Sequence, residues 1–317
     1  MSLSTLTAPA PPLSCYTTNL VSYLEPELPE IRGDFAAAVR LAVRTDVPGG
    51  GVAFSHHERV DVTADGRGLA YRGAEGWEEA RAALLAELGR EGRVLAVGNT
   101  AHLPWSPAYG RAAAPHWLLV HDQRDECWLV ADHFAALTPH GEQGPYLGWL
   151  DDDEMARALT PVAAPAPEVV RRDRLALGRA VPLPPEGTYR WLTRETGGRA
   201  ASGPAPDEGT WLHGTAALRH LRTVLAGDPA EAERCADDLW AAACHHAHRD
   251  TVLAAEGLIG ARTAEAAAQA WSALPRSLRF AAQSAARGRP RPGLLEQAFD
   301  QLLRVTEELD AQLSQEG

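Results

Sequence analysis

A chain of 317 residues is long enough to bury a core without covalent staples. Its formal net charge of -12 works against nucleic-acid partners, which are held by neutralising phosphate. All 30 basic residues are arginine, so lysine Schiff-base chemistry and a P-loop are both excluded.

Four cysteines (Cys15, Cys127, Cys235, Cys244) form no CxxC pair and read as reduced thiols of a cytoplasmic protein. The N-terminal stretch carries no basic cluster, and no run of about 18 apolar residues occurs. The expectation is a protein that is neither secreted nor membrane-spanning.

In chain order, Pro11-Pro12 and a candidate N-cap, Ser14, precede Tyr16, Leu20, Tyr23 and Leu24 at helical spacing, placing Cys15 in the first turn of a helix. His56-His57, after Gly49-Gly50-Gly51, reads either as a cleft border or as polar surface. Gly76 to Leu88 predicts an amphipathic helix with acidic residues early, feeding a strand over Arg93 to Val97. Two strands follow, from Trp117 and from Cys127, around the charged turn Gln123-Arg124-Asp125-Glu126. Asp151-Asp152-Asp153-Glu154 lacks the spacing of a calcium loop and reads as a helix N-terminus.

Residues 156–208 are rich in Pro, Gly, Ala and Arg and read as a connector. Beyond it, helices are predicted over Thr215 to Leu225, Ala230 to Ala255, Ala264 to Leu274, Ser277 to Ala286 and Leu294 to Leu313. Cys244 and His248 share one helical face, but no second ligand pair of similar quality accompanies them, so no metal is assigned. Arginine clusters at 171, 172 and 174 and at 287, 289 and 291 read as solvated charge or as docking patches for an acidic carrier protein.

The constellation that carries chemistry is Cys15, His116 and Asp132. A thiol acts as a nucleophile in its thiolate form, which a helix N-terminus stabilises. His116 opens one strand of the hairpin and Asp132 closes the other, so the carboxylate can orient the imidazole. His121, five residues further along the strand, is expected to face away from His116.

The stretch VLAVGNTAHLPWSPAYGRAAAPHWLLVHDQRDECWLVAD (Val94 to Asp132), with SCYTTNLVSYL near the start, resembles the N-terminal domain of the butirosin-biosynthesis protein H acyltransferases. The resemblance covers about the first 150 residues. It implies a papain-like, bacteriocin-processing-peptidase-like α+β fold, with an N-terminal helix carrying the thiol, an antiparallel sheet carrying His and Asp, and a C-terminal α-helical domain. It assigns Cys15 as nucleophile, His116 as base and Asp132 as orienting acid. It also makes Leu103-Pro104-Trp105, ending near Tyr109, a wall of the substrate cleft. Asn99 stands where the resemblance would put an acidic residue.

Papain-like peptidases place a glutamine before the cysteine, whereas this chain has none before Gln123. Oxyanion stabilisation then falls to backbone N–H groups, with those of Cys15 and Tyr16 as candidates.

The implied reaction moves an acyl group from a carrier-protein thioester, or another acyl thioester, to a small-molecule amine through a Cys15 acyl-enzyme in natural-product biosynthesis. It needs no cofactor and no metal. A thioesterase or cysteine peptidase of the same fold is the alternative within the class, and a non-catalytic carrier-protein-binding module is the alternative outside it. The expected division is a catalytic domain over 1–155, a connector over 156–208 and a helical domain over 209–317, with a homodimer compatible with the sequence.

Overall fold

The computed structural model describes residues 12–196 and 209–316. The extreme N-terminus and the glycine-rich end of the expected connector lie outside the described residues.

Helices α1 (Cys15–Leu24) and α2 (Ile31–Ala38) lead into β1 (Val39–Arg44), β2 (Ala53–His57) and β3 (Arg67–Ala74). Helix α3 (Trp77–Glu91), β4 (Val94–Asn99) and a short 3-10 turn (Thr100–His102) follow. The hairpin is β5 (Pro115–Arg124) and β6 (Cys127–Asp132), after which β7 (Ala136–Thr138) and β8 (Gly141–Gln143) form a smaller one. Next come β9 (Tyr146–Asp151), α4 (Asp152–Ala158), α5 (Pro167–Leu175) and β10 (Tyr189–Thr196). The chain ends with β11 (Trp211–His213), α6 (Gly214–Gly227), α7 (Pro229–Arg234), α8 (Ala236–Ala255), α9 (Ala261–Ala286) and α10 (Pro292–Glu316).

The fold is mixed α+β with antiparallel sheets. Six strands form the main sheet in the order β3-β10-β4-β5-β6-β9, and β11-β1-β2 form a second. The central strands are covered on both faces, which is why their sequences are near-continuous apolar runs. Leu95, Trp117 and Leu119 pack with Leu20 and Tyr23 of α1 on one face. Val94, Leu118 and Val120 pack with Leu84 of α3 and Met155 of α4 on the other. Each such fully buried side chain contributes roughly 1.5–3 kcal/mol.

The local signals explain the element ends. Ser14 caps α1, accepting from the N–H of Thr17 at 3.3 Å. Asp151 and Glu154 close a capping box on α4, as the acidic run implied. The β5–β6 turn narrows to two residues, Asp125 and Glu126, both with positive φ (49° and 62°), the backbone that a tight hairpin requires.

Three sequence expectations are corrected. Part of the stretch read as a connector is built into the protein: β10 lies between β3 and β4, and α5 packs against β2 and is tied to α1 by the Tyr16–Asp173 hydrogen bond. Its Pro and Gly residues mark the turns around these elements, and Arg190-Trp-Leu supplies a strand whose partners are distant in sequence. The division into separate catalytic and helical domains also fails, because Leu41, Val43 and Phe54 of β1 and β2 share one core with Leu221, Leu239, Trp271 and Phe299 of the helices. Finally, the two helices expected on either side of Pro275 are one: α9 runs through the proline because Trp271, Leu274 and Leu278 keep a common buried stripe.

Among the described residues, no helix is long and apolar enough to cross a membrane.

Candidate active site

Cys15 is the first residue of α1, half-buried, at the end of the helix whose early N–H groups lack intrahelical acceptors. The Ser14 hydroxyl takes the N–H of Thr17, leaving those of Cys15 and Tyr16 at the mouth of the helix. Cys15 and His116 line the same cavity, and the thiol is near enough to act on the charge of the imidazole.

His116 is nearly inaccessible, and its Nε2–H donates to Asp132 Oδ2 at 2.8 Å. That contact leaves Nδ1 for Cys15. Burial opposes a charge on this ring, but the Asp132 carboxylate, followed by Cys15, outweighs it and pushes His116 up to about 10.

Asp132 is fully buried and heavily supported. Its Oδ2 also accepts from Trp105 Nε1 at 2.9 Å and from Gln143 Nε2 at 2.8 Å, and its Oδ1 accepts from the Phe134 N–H at 3.0 Å. Burial pushes this carboxyl upward, yet His116, Trp105 and the backbone donor together hold it below the usual carboxylate range.

Asn19 fastens the helix to the sheet. Its Nδ2 lies 3.0 Å from Cys15 O, 2.8 Å from Trp117 O and 3.3 Å from Asp132 Oδ1, while its Oδ1 accepts from the His133 N–H at 3.0 Å. The side chain thus spans all three segments that bear Cys15, His116 and Asp132. Gly98, opposite His116 on β4, leaves room for the Leu118 side chain, since a Cβ there would sit 2.9 Å from Leu118 Cδ1.

Cys15 and His116 border a cavity of about 270 Å³, with Asp132 buried behind the imidazole. Its walls come from the start of α1, from the β7–β8 hairpin and from the helices, with Phe54, Phe134, Leu175 and Trp240 among its apolar surfaces.

The segment expected to wall the cleft is displaced by one step. Leu103 is fully buried in the core beneath α3, Pro104 is exposed, and Tyr109 is 54% exposed; none of the three lines the cavity. Ser106 and Ala108, between Trp105 and Tyr109, line it instead. Trp105 stands behind the site: its ring stacks on Tyr146 (centroids 3.8 Å apart, planes 3° from parallel) and its N–H holds Asp132. Asn99 is also structural. Its carboxamide oxygen caps the N–H of Ala101 and its Nδ2 donates to Thr160 O, away from the cavity. Tyr16 reaches the cavity at the helix start, but its hydroxyl points into the core and donates to Asp173.

His56 and His57 lie on β2 and border the cavity. His121 is exposed and does not. Arg172 is not a docking residue, because it is turned inward onto Asp238 at 3.0 and 2.8 Å; Arg287, Arg289 and Arg291 are exposed. Cys244 and Cys235 are buried, and burial pushes both thiols up, Cys244 to about 12. Among the described residues, no group of three or more His, Cys, Asp or Glu side chains is arranged to hold a metal ion.

Asn19 and Gln143 escaped the sequence reading. Asn19 carried a local signal, four residues from Cys15 on one helix face, whereas Gln143 carried none.

No protein-family model matches the chain, and a search of curated proteins finds no match either.

Proposed function

We propose that the protein is a cysteine-dependent acyltransferase of papain-like type, which moves an acyl group from a thioester to an amine through a Cys15 acyl-enzyme. The observation that carries this reading is an imidazole bound to a buried carboxylate on the same cavity as a thiol: His116 donates to Asp132 at 2.8 Å and lines the cavity with Cys15, at the head of α1.

In the proposed reaction, His116 already holds the thiol proton as an imidazolium, and the Cys15 thiolate beside it attacks the thioester carbonyl carbon. The N–H groups of Cys15 and Tyr16 face the developing oxyanion. Collapse breaks the bond to the donor sulfur, which leaves with the proton from His116, and Cys15 keeps the acyl group. An amine then attacks, giving a proton to His116; the Cys15 thiolate is expelled, which restores the thiolate beside the imidazolium. An acyl carrier protein is the proposed natural thioester donor, in a biosynthetic setting, because a thioester exchanging with a thiol is nearly balanced in energy and needs less activation than an amide.

The test is intact-protein mass spectrometry after incubation with simple acyl thioesters. An adduct of one acyl mass is expected on the wild-type protein and none on Cys15→Ser. Adduct decay by added amines separates transfer from hydrolysis. A protein that takes no acyl group from any thioester would be a binding module instead.

A further inference from the structure

On the wall of the cavity formed by β2 and α8, two imidazoles stand edge to face. The rings of His56 and His245 lie 5.6 Å apart at 85°, and both residues line the cavity. His245 is 1% exposed, and among the described residues neither of its nitrogens has a hydrogen-bond partner. The nitrogens of His56 are likewise without one, the nearest carboxylate oxygen, on Asp238, being 3.6 Å away. Leaving a buried polar group unpaired is costly, and a core position here would be served better by an apolar ring.

The charges around these rings are balanced. Arg172 is bound to Asp238 through both guanidinium contacts, and Arg279 lies 3.8 Å from Asp237. Burial first, then His56 and His57, hold His245 well below the ordinary imidazole range, so it is a neutral ring with one donor and one acceptor nitrogen. A charged ligand group would find no uncompensated opposite charge there, whereas a hydroxyl or carboxamide could both give and accept a hydrogen bond.

The reaction chemistry says which part of the substrate reaches this end. Donor thiol and acceptor amine occupy the same side of the carbonyl in turn and must exchange with solvent, while the acyl side stays filled throughout. Phe54 stacks beside His56, and Phe134 packs against both His116 and Trp240, so the same cavity offers apolar surface for an acyl chain.

Resting on the acyl-transfer reading, we infer that the acyl group delivered to Cys15 ends in an uncharged hydrogen-bonding group, a hydroxyl or carboxamide, recognised by His245 and His56 on the β2–α8 wall of the cavity.

The experiment uses N-acetylcysteamine thioesters of butanoic, hexanoic and octanoic acids beside their ω-hydroxy, ω-carboxamide and ω-carboxylate counterparts. Rates of Cys15 acylation are read on the wild-type chain, and calorimetric affinity on Cys15→Ser. At the chain length that fits, the hydroxyl or carboxamide form is expected to be favoured at least about tenfold over the hydrocarbon and the carboxylate. His245→Phe, an aromatic replacement beside Phe35, should abolish that preference, read as the ratio of hydroxyl or carboxamide to hydrocarbon rates on the same variant; His245→Gln, which still donates and accepts, should keep part of it. Equal or better use of hydrocarbon or carboxylate probes, or a preference unchanged in His245→Phe, overturns the inference. Preferential binding to Cys15→Ser that depends on His245, with no acylation of the wild type, would uphold the subsite and reject the acyl-transfer reading. Neither binding nor acylation by any probe would reject both.

Discussion

His116 and Asp132 point to the same face of the β5–β6 pair because of one extra residue, His121. Near the turn the strands pair as Asp122 with Leu129 and Arg124 with Cys127; beyond His121 they pair as Leu119 with Ala131 and Val120 with Val130. The bulge moves the register by one. With it, Asp132 falls opposite Leu118, on the face of His116; without it, Asp132 would fall opposite Leu119, on the other face.

Deleting His121 should therefore separate the carboxylate from the imidazole, whereas His121→Thr, which keeps the bulge, should not. The expected result is a loss of at least about 10²-fold in Cys15 acylation for the deletion and wild-type behaviour for the substitution. Equal activity in both proteins would show that the bulge does not set the pairing.

Iodoacetamide labelling of Cys15 gives a readout of the His116 contact without any substrate. His116→Ala should slow labelling at pH 7 by about tenfold or more, because the thiolate loses its cationic neighbour. Asp132→Asn should reduce acyl transfer by about 10²-fold or more, since the imidazole loses its orienting acceptor. Asp132→Ala should also cost about 3 kcal/mol of stability in urea melts, because it leaves buried donors on His116, Trp105 and Gln143 unpaired.

Stability should carry the titration of His116. Its folded value, about 10, lies above the ordinary imidazole value of 6.5, so the folded state binds the proton more tightly. The stabilisation from the protonated ring is complete below about pH 6.5 and is lost as pH rises toward and through about 10. Urea midpoints should fall across that window in the wild type and fall less steeply in His116→Phe. Parallel slopes would mean that the ring is not protonated in the folded protein.

Behind the site, Tyr16 donates to Asp173, whose other oxygen accepts from Arg190 at 2.9 Å, tying α1 to α5 and β10. Tyr16→Phe removes one donor from a buried carboxylate. It should destabilise the protein by about 1–3 kcal/mol and retard acylation only modestly, as judged by urea denaturation beside initial rates.

Local signals made the helix ends, the hairpin and the thiol at a helix start readable: Ser14 caps, Asp151 with Glu154 forms a box, and the apolar runs of β4 and β5 announce buried strands. The strand β10 was hidden because Tyr189–Thr196 stands among turn residues and its pairing partners lie about a hundred residues away.

The amino-acid sequence by itself determined the chemical vocabulary: a capped thiol, a histidine and an aspartate framing a tight turn, and no lysine, because these depend on residue identity and short-range spacing. Only the tertiary structure decided that Gln143, Trp105 and Asn19 converge on Asp132 and that helices α8 and α9 supply part of the cavity wall that Cys15 borders. Those outcomes depend on strand order, a one-residue register shift and long-range packing, none of which leaves a periodic trace along the chain.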